Sequence, residues 1–313
     1  MSKTSFLALE QVSKMYDQHL AVNQVSLNIP AANIYGLLGP NGAGKTSIIR
    51  MITGITAPDD GKIYFDGEPL SRNHIQSIGY MPEERGLYKK MKVREQITYL
   101  LSLRGMLPSE AKKATTSWLD RLGLMEWADR NTNDLSKGMQ QKVQFISTVG
   151  HEPKLLILDE PFSGLDPVNA NLIETEIRRL KDQGTTIIFS THRLEQVEEL
   201  CDYIALINRG QLMLEDEITT VRKQFQKNQY QIEFVGDKSV LNQLTHLEVT
   251  DLTDRSANIG LTDDFTGKDL MRFLMNSPLE ILKFEQHLPR LNDIFIELVS
   301  NTATNPIMVG NAS

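Results

Sequence analysis

The sequence predicts an α/β fold: a mostly parallel sheet with crossover helices, interrupted by a helical insertion and followed by a small α+β domain. Three observations carry this reading. Short β-branched and aliphatic runs alternate with helical patterns as far as Ile207. From about Glu84 to Gly150 that rhythm gives way to a helix-rich stretch. After Leu214 a polar segment, Glu215 to Asn228, leads into Tyr230-Gln231-Ile232-Glu233-Phe234-Val235, which alternates at strand period.

Taken in order, the strand candidates are Phe6 to Val12, Val25 to Ile29, Asn33 to Leu38, Lys62 to Phe65, Leu155 to Leu158, Thr186 to Phe189 and Tyr203 to Ile207. Within the insertion, helices are expected over Val93 to Arg104, Ser109 to Leu122 and Lys137 to Val149. The second of these follows Pro108 and stops before Gly123, both good helix boundaries. Further on, a strand around Asn258 to Leu261, a helix Asp269 to Met275, a strand Leu279 to Phe284 and a helix Leu291 to Val299 make the α+β unit. The expected division is 1–220, with its helical part over about 84–150, then 221–300, then a small, polar, disordered tail over 301–313. No repeat recurs at a fixed period.

Composition narrows the function classes. Among 313 residues, 40 acidic against 33 basic side chains give a formal net charge of −7. No excess of Lys and Arg is available to track a phosphate backbone, so no nucleic acid is expected as a partner. Cys201 is the single cysteine and makes neither an intrachain disulfide nor a zinc site alone, so nothing marks an oxidising compartment. It reads as a small buried hydrophobe. Glu10 interrupts the N-terminus before a signal-type apolar core can form. The longest apolar runs, such as Leu155 to Leu158, fall far short of the roughly 20 residues that span a bilayer. The expectation is a cytoplasmic protein whose membrane role goes through a partner.

The strongest motif is Gly39-Pro40-Asn41-Gly42-Ala43-Gly44-Lys45-Thr46, a full match to G-x-x-x-x-G-K-[ST]. It stands between the strand Ile34 to Leu38 and the apolar helical run Ile48 to Ile52, the setting such a loop requires. The glycines let backbone N–H groups converge on an anion, and the helix N-terminus adds its positive dipole. Lys45 can reach terminal phosphates and Thr46 can ligate Mg²⁺; with Ser47 these residues form the candidate nucleotide loop. A second element should bring a carboxylate to the end of another buried strand. Leu155-Leu156-Ile157-Leu158-Asp159-Glu160-Pro161 does so, with four apolar residues and then two acids. Asp159 would hold Mg²⁺ through water, as Walker B acids do. Glu160, one residue on and pointing elsewhere, is placed to orient or deprotonate an attacking water.

Between these motifs lies Leu135-Ser136-Lys137-Gly138-Met139-Gln140-Gln141-Lys142. It is similar to the LSGGQ signature, and with it the chain resembles the ATP-binding subunit of ABC transporters. Ser163-Gly164-Leu165-Asp166 resembles that family's D-loop, and Ser190-Thr191-His192 resembles its switch histidine. Six motifs in the family's order cover residues 1 to about 215. The resemblance implies a P-loop NTPase core with an antiparallel β subdomain beside the helical insertion. It also implies that Ser136 and Gly138 grip the γ-phosphate bound by an opposite subunit, while Asp166 bridges to the partner's phosphate loop. Two ATP would then lie between two copies, or between this chain and a paralogue, with two-fold symmetry. His192 would sense the γ-phosphate, and Glu160 would be catalytic. Tyr16 resembles the aromatic that stacks on adenine, although a lone Tyr near the N-terminus serves equally as packing. Independently of the family, Ser136 reads as a helix cap.

The chain departs from the family's pattern at two places. Met81-Pro82-Glu83 puts an acid where the family usually has Gln; Glu83 can ligate Mg²⁺ with Thr46 and Asp159 but cannot donate a hydrogen bond. Lys137 replaces the usual second Gly of the signature, and Met139 the usual Gln. The run from Tyr80 to Tyr88, the signature, and Leu291-Asn292-Asp293-Ile294-Phe295-Ile296-Glu297-Leu298 resemble the type 2 exporters related to sodium-efflux and anthracycline-resistance ATPases. The resemblance implies an ATPase at the cytoplasmic face of the membrane that powers export by a separate integral membrane permease. The permease would dock beside Glu83, with Leu87 and Tyr88 as candidate contacts. A soluble ABC-type ATPase acting on ribosome or DNA is the alternative; one phosphate loop, no sustained heptads and one cysteine speak against it. The C-terminal domain would add dimer contact area or sense a ligand.

Overall fold

The computed structural model describes residues 5–304 apart from 192, 227, 246, 263 and 287. The chain divides into two compact units between Ile218 and Thr219.

The first unit opens with β1 (Ser5–Tyr16) and β2 (His19–Pro30), an antiparallel pair. Leu7, Leu9, Val12, Val25, Leu27 and Ile29 are buried on it, the half-buried pattern expected of a sheet with one wet face. Next, β3 (Ile34–Leu38), buried throughout, runs through the glycine loop into α1 (Lys45–Ile52). β4 (Asp60–Phe65) and β5 (Glu68–Pro69) then complete a four-stranded antiparallel sheet in the order β2-β1-β4-β5. The single-turn α2 (Arg72–Ile75) leads to β6 (Ile78–Met81) and so to the insertion: α3 (Val93–Leu103), α4 (Pro108–Arg121) and α5 (Lys137–Val149). After it come β7 (Leu155–Asp159), α6 (Pro167–Asp182), β8 (Thr186–Ser190), α7 (Leu194–Leu200), β9 (Tyr203–Asn208) and β10 (Gln211–Glu217).

The second sheet has the order β10-β9-β3-β8-β7-β6, parallel except for the β9–β10 hairpin. Its register decides where the chemistry sits. Leu37 pairs with Ser190, Ser190 with Asp159, and Leu158 with Met81, so β3, β8, β7 and β6 end along one sheet edge. Open parallel sheets bind ligands beyond such carboxyl ends.

The polar segment Glu215 to Asn228 is not a simple connector. It contains the end of β10 and a helix, α8 (Ile218–Gln224). Three consecutive acids hide the strand from pattern reading, while tertiary partners hold it: the Asn28 N–H and the Tyr35 hydroxyl both donate to Glu215.

The second unit is built on an antiparallel sheet of β11 (Gln229–Val235), β12 (Glu248–Thr250), β13 (Ser256–Gly260) and, beyond α9 (Gly267–Met275), β14 (Glu280–Gln286), in the order β12-β13-β11-β14. Ile232, Phe234, Ala257, Ile259, Leu270 and Leu274 form its core. The final helix, α10 (Leu291–Thr304), runs on through residues 301–304, which the sequence reading assigns to a disordered tail. The rest of that tail, 305–313, lies outside the described residues. Among the described residues no helix is long and apolar enough to cross a membrane.

Candidate functional site

The loop from β3 to α1 owes its shape to three glycines. Gly39, Gly42 and Gly44 have φ of 148°, 76° and 110°, a region that side chains other than glycine's rarely tolerate. Two of them are also sterically required: a Cβ on Gly39 would stand 2.1 Å from the Ile207 carbonyl oxygen, and one on Gly44 2.5 Å from that of Ala21. The Gly210 N–H donates to the Ala43 carbonyl at 2.9 Å, clamping the loop to the β9–β10 turn. Lys45 Nζ donates to the carbonyls of Gly39 at 2.6 Å and Pro40 at 3.0 Å. Burial lowers the Lys45 pKa, opposed by the carboxylates of Asp159 and Glu160.

Asp159 closes β7, and the chain then turns sharply, because Glu160 adopts φ 51°. The Glu160 N–H donates to the Ser190 carbonyl at 2.9 Å, and the Thr191 hydroxyl to Glu160 Oε2 at 3.1 Å. Two adjacent acids are thereby held apart in direction. Burial raises the Asp159 pKa, and Glu160 and Glu83 add to the rise; a Ser190 hydrogen bond and the Lys45 charge oppose it. Burial and Asp159 together also raise the Tyr80 phenol.

These groups meet in one cavity of about 270 Å³ lined by Tyr16, Asn41, Gly42, Ala43, Gly44, Lys45, Thr46, Ser47, Glu83, Asp159 and Glu160. His19, Ala21 and Ser190, which motif reading does not single out as ligands, line it too. Gly39 and Pro40 do not line it; they supply the carbonyls that hold Lys45. The Tyr16 hydroxyl is buried without a hydrogen-bond partner. Ser136, Gly138 and Asp166 lie outside the cavity. Ser136 caps α5, accepting the Met139 N–H at 3.3 Å, and Asp166 caps α6, accepting the Asn169 N–H at 3.0 Å. The Asn169 bonds hold the Asp166 carboxyl below its usual range. Gly138 and the D-loop segment adjoin: a Cβ on Gly138 would stand 3.5 Å from a Leu165 methyl. His192 lies outside the described residues.

Sequence reading also passes over a set of polar side chains behind the cavity. Gln141 and Gln144 stand three residues apart on α5 and are both buried. The Gln141 amide donates to the Pro161 carbonyl at 3.0 Å, and the Gln144 amide to that of Pro82 at 2.8 Å. Arg85 Nε donates to Gln141 Oε1 at 3.1 Å. Two amides three residues apart on a helix that also buries Val143, Phe145, Ile146 and Val149 are the available signal, since buried amides need partners.

The ABC transporter family model matches residues 22–163, and a model of the C-terminal domain of DrrA1-3-like ATP-binding proteins matches 217–299. YhaQ of Bacillus subtilis, an ABC transporter ATP-binding protein, is 40% identical over 293 residues, which is 94% of this chain and 98% of that one. The chain belongs to the ABC transporter family. The lantibiotic transport ATP-binding protein SrtF of Streptococcus pyogenes is 35% identical over 211 residues, 67% of this chain and 90% of that one. A solved structure of an ATP-binding subunit of an ABC transporter superposes with a TM-score of 0.66 at 28% identity, covering 71% of this chain and 93% of that one. Within the ABC transporter family this chain is the subunit that binds and hydrolyses ATP to power a separate permease. Its C-terminal match accords with the type 2 exporter branch.

Proposed function

We infer that the cavity holds Mg-ATP and that a second copy of the chain completes the site. The separation of two motif groups carries this reading. The phosphate loop, Asp159 and Glu160 line one cavity, whereas Ser136, Gly138 and Asp166 lie outside it on the same molecule. At about 270 Å³ the cavity falls below the usual ligand pocket of roughly 300–1,000 Å³, as half a site would. In a two-fold pair, Ser136 and Gly138 of each copy face the phosphate loop of the other, and Asp166 bridges to it.

The donor set suits Mg²⁺. Thr46, Asp159 and Glu83 offer hard oxygens, and the crowding of Glu83 and Glu160 around Asp159 is relieved by a cation. Among the described residues no three His, Cys, Asp or Glu side chains make a metal cage alone, and Mg²⁺ habitually completes its shell with phosphate oxygens and water. When bound, the ion neutralises charge on the terminal phosphates. Lys45 exchanges the Gly39 and Pro40 carbonyls for those phosphates, and the N–H groups of Gly42 to Ser47 cradle them. Tyr16 stacks on the base, and His192 senses the γ-phosphate. Glu160, steadied by Thr191, aligns a water and takes its proton.

The complex works at the cytoplasmic face of the membrane, where the permease meets the surface beside Glu83, including Leu87 and Tyr88. The C-terminal domain adds contact area between copies. Light scattering of Glu160→Gln with Mg-ATP tests the central claim: a dimer is expected, and a monomer at saturating ATP overturns it. Tagged Glu160→Gln, recovered with ATP from detergent-solubilised membranes, is expected to bring an integral membrane protein with it; recovery of ribosomes instead overturns the membrane assignment.

A further inference from the structure

Arg85 is not among the residues that line the cavity, yet it ties together three segments that the site depends on. It stands two residues after Glu83 and two before Leu87. Its Nε donates to Gln141 Oε1 at 3.1 Å, and its Nη2 to the Ser163 carbonyl at 3.5 Å. Gln141, 1% exposed, donates in turn to the carbonyls of Pro161 at 3.0 Å and Glu160 at 3.5 Å. One guanidinium thus joins the segment after β6, the helix capped by Ser136, and the turn from Glu160 to Asp166. Gly164, at φ 76°, permits the approach: a Cβ there would stand 3.0 Å from Arg85 Nη2. Gln144, one turn along the same helix, fixes the same segment by donating to the carbonyls of Pro82 and Glu84. A planar fork that donates in two directions suits this post, and a lysine ammonium does not reproduce it.

Resting on the reading of Glu160 as the water-aligning carboxylate, we propose that Arg85 is a positioning residue for ATP hydrolysis. Through Gln141 it holds the Glu160–Leu165 turn and makes the geometry of that turn depend on the segment presented to the permease. A displacement of residues 82–88 is passed to the backbone of Glu160, and misplacement by an ångström is costly for a group that must align a water.

Steady-state ATPase kinetics of the purified full chain test this. In Arg85→Ala, kcat is expected to fall about ten- to a hundredfold, the scale of a small positional error. KM for ATP should stay within about twofold, because the lining residues are untouched. Gln141→Leu should show the same split, and the double variant should be no slower than the slower single one, as for one linked unit. Full kcat in Arg85→Ala, a loss confined to KM, or multiplicative losses in the double variant would each overturn the proposal. If Arg85→Ala does not fold, Arg85→Lys decides: an intermediate kcat supports the fork, and a wild-type kcat overturns it. Glu160→Gln in the same assay separates the two readings. Wild-type turnover there removes the catalytic assignment itself; an inactive Glu160→Gln beside a fully active Arg85→Ala removes only the positioning role.

Discussion

Glu160 adopts φ 51°, a conformation that costs on the order of 1 kcal/mol and is held by the Ser190 carbonyl and the Thr191 hydroxyl. Glu160→Gln preserves the Thr191 contact but cannot accept a proton. Hydrolysis is therefore expected to drop about a hundredfold or more while the calorimetric ATP affinity stays. Lys45→Ala removes the cation held in the loop and should weaken ATP binding about tenfold or more by the same measurement. His151 offers a test of pH dependence away from the site. Both its ring nitrogens are buried without partners; burial, then the Arg104 charge, lowers its pKa to about 4. The folded state prefers neutral imidazole, so stability is full above the unfolded value near 6.5 and falls as pH drops toward 4. The part of the loss between pH 8 and 5 that is due to His151 is expected to be on the order of 2 kcal/mol, and His151→Leu should remove that part in urea titrations at the two pH values.

At the level of elements, the phosphate loop depends on its backbone more than on its side chains. Gly39→Ala drives a methyl into the Ile207 carbonyl at 2.1 Å, which neither β3 nor β9 can yield. ATP affinity should fall about tenfold or more, as the loop N–H groups lose their convergence. Gly86→Ala is the control, since a Cβ there meets nothing within 4 Å, and titration should show unchanged binding. Helices and strands differ in how legible they were. The helix expected over Lys137–Val149 has those bounds, because Ser136 caps it and its apolar positions recur at helical period. β10 escaped because Glu215, the first of its three acids, owes its place to Asn28 and Tyr35, more than 170 residues away in the chain.

Across the whole molecule, the two units carry separate cores, one around Leu27, Ile48 and Ile157, the other around Phe234 and Leu270. All the residues that line the cavity holding Lys45 and Asp159 belong to the first. Phe234→Ala, which empties a fully buried position, should cost the second unit about 3–5 kcal/mol. Differential scanning calorimetry should show one transition lowered, with ATP affinity unchanged; a matching loss of affinity would show that the units do not act separately.

The α/β class, the glycine loop and the acidic strand end are legible along the chain, because they rest on local chemistry: glycine's freedom, a lysine beside it, and two acids after a buried run. Which of these groups meet depends on the folded arrangement. Strand register set Ser190 beside Asp159 and Met81 beside Leu158, bringing Glu83 into the cavity with residues more than 70 positions away. It also set Gln141 and Arg85 behind Glu160, a contact no spacing announces, because a buried amide chooses its partner by packing and not by distance along the chain.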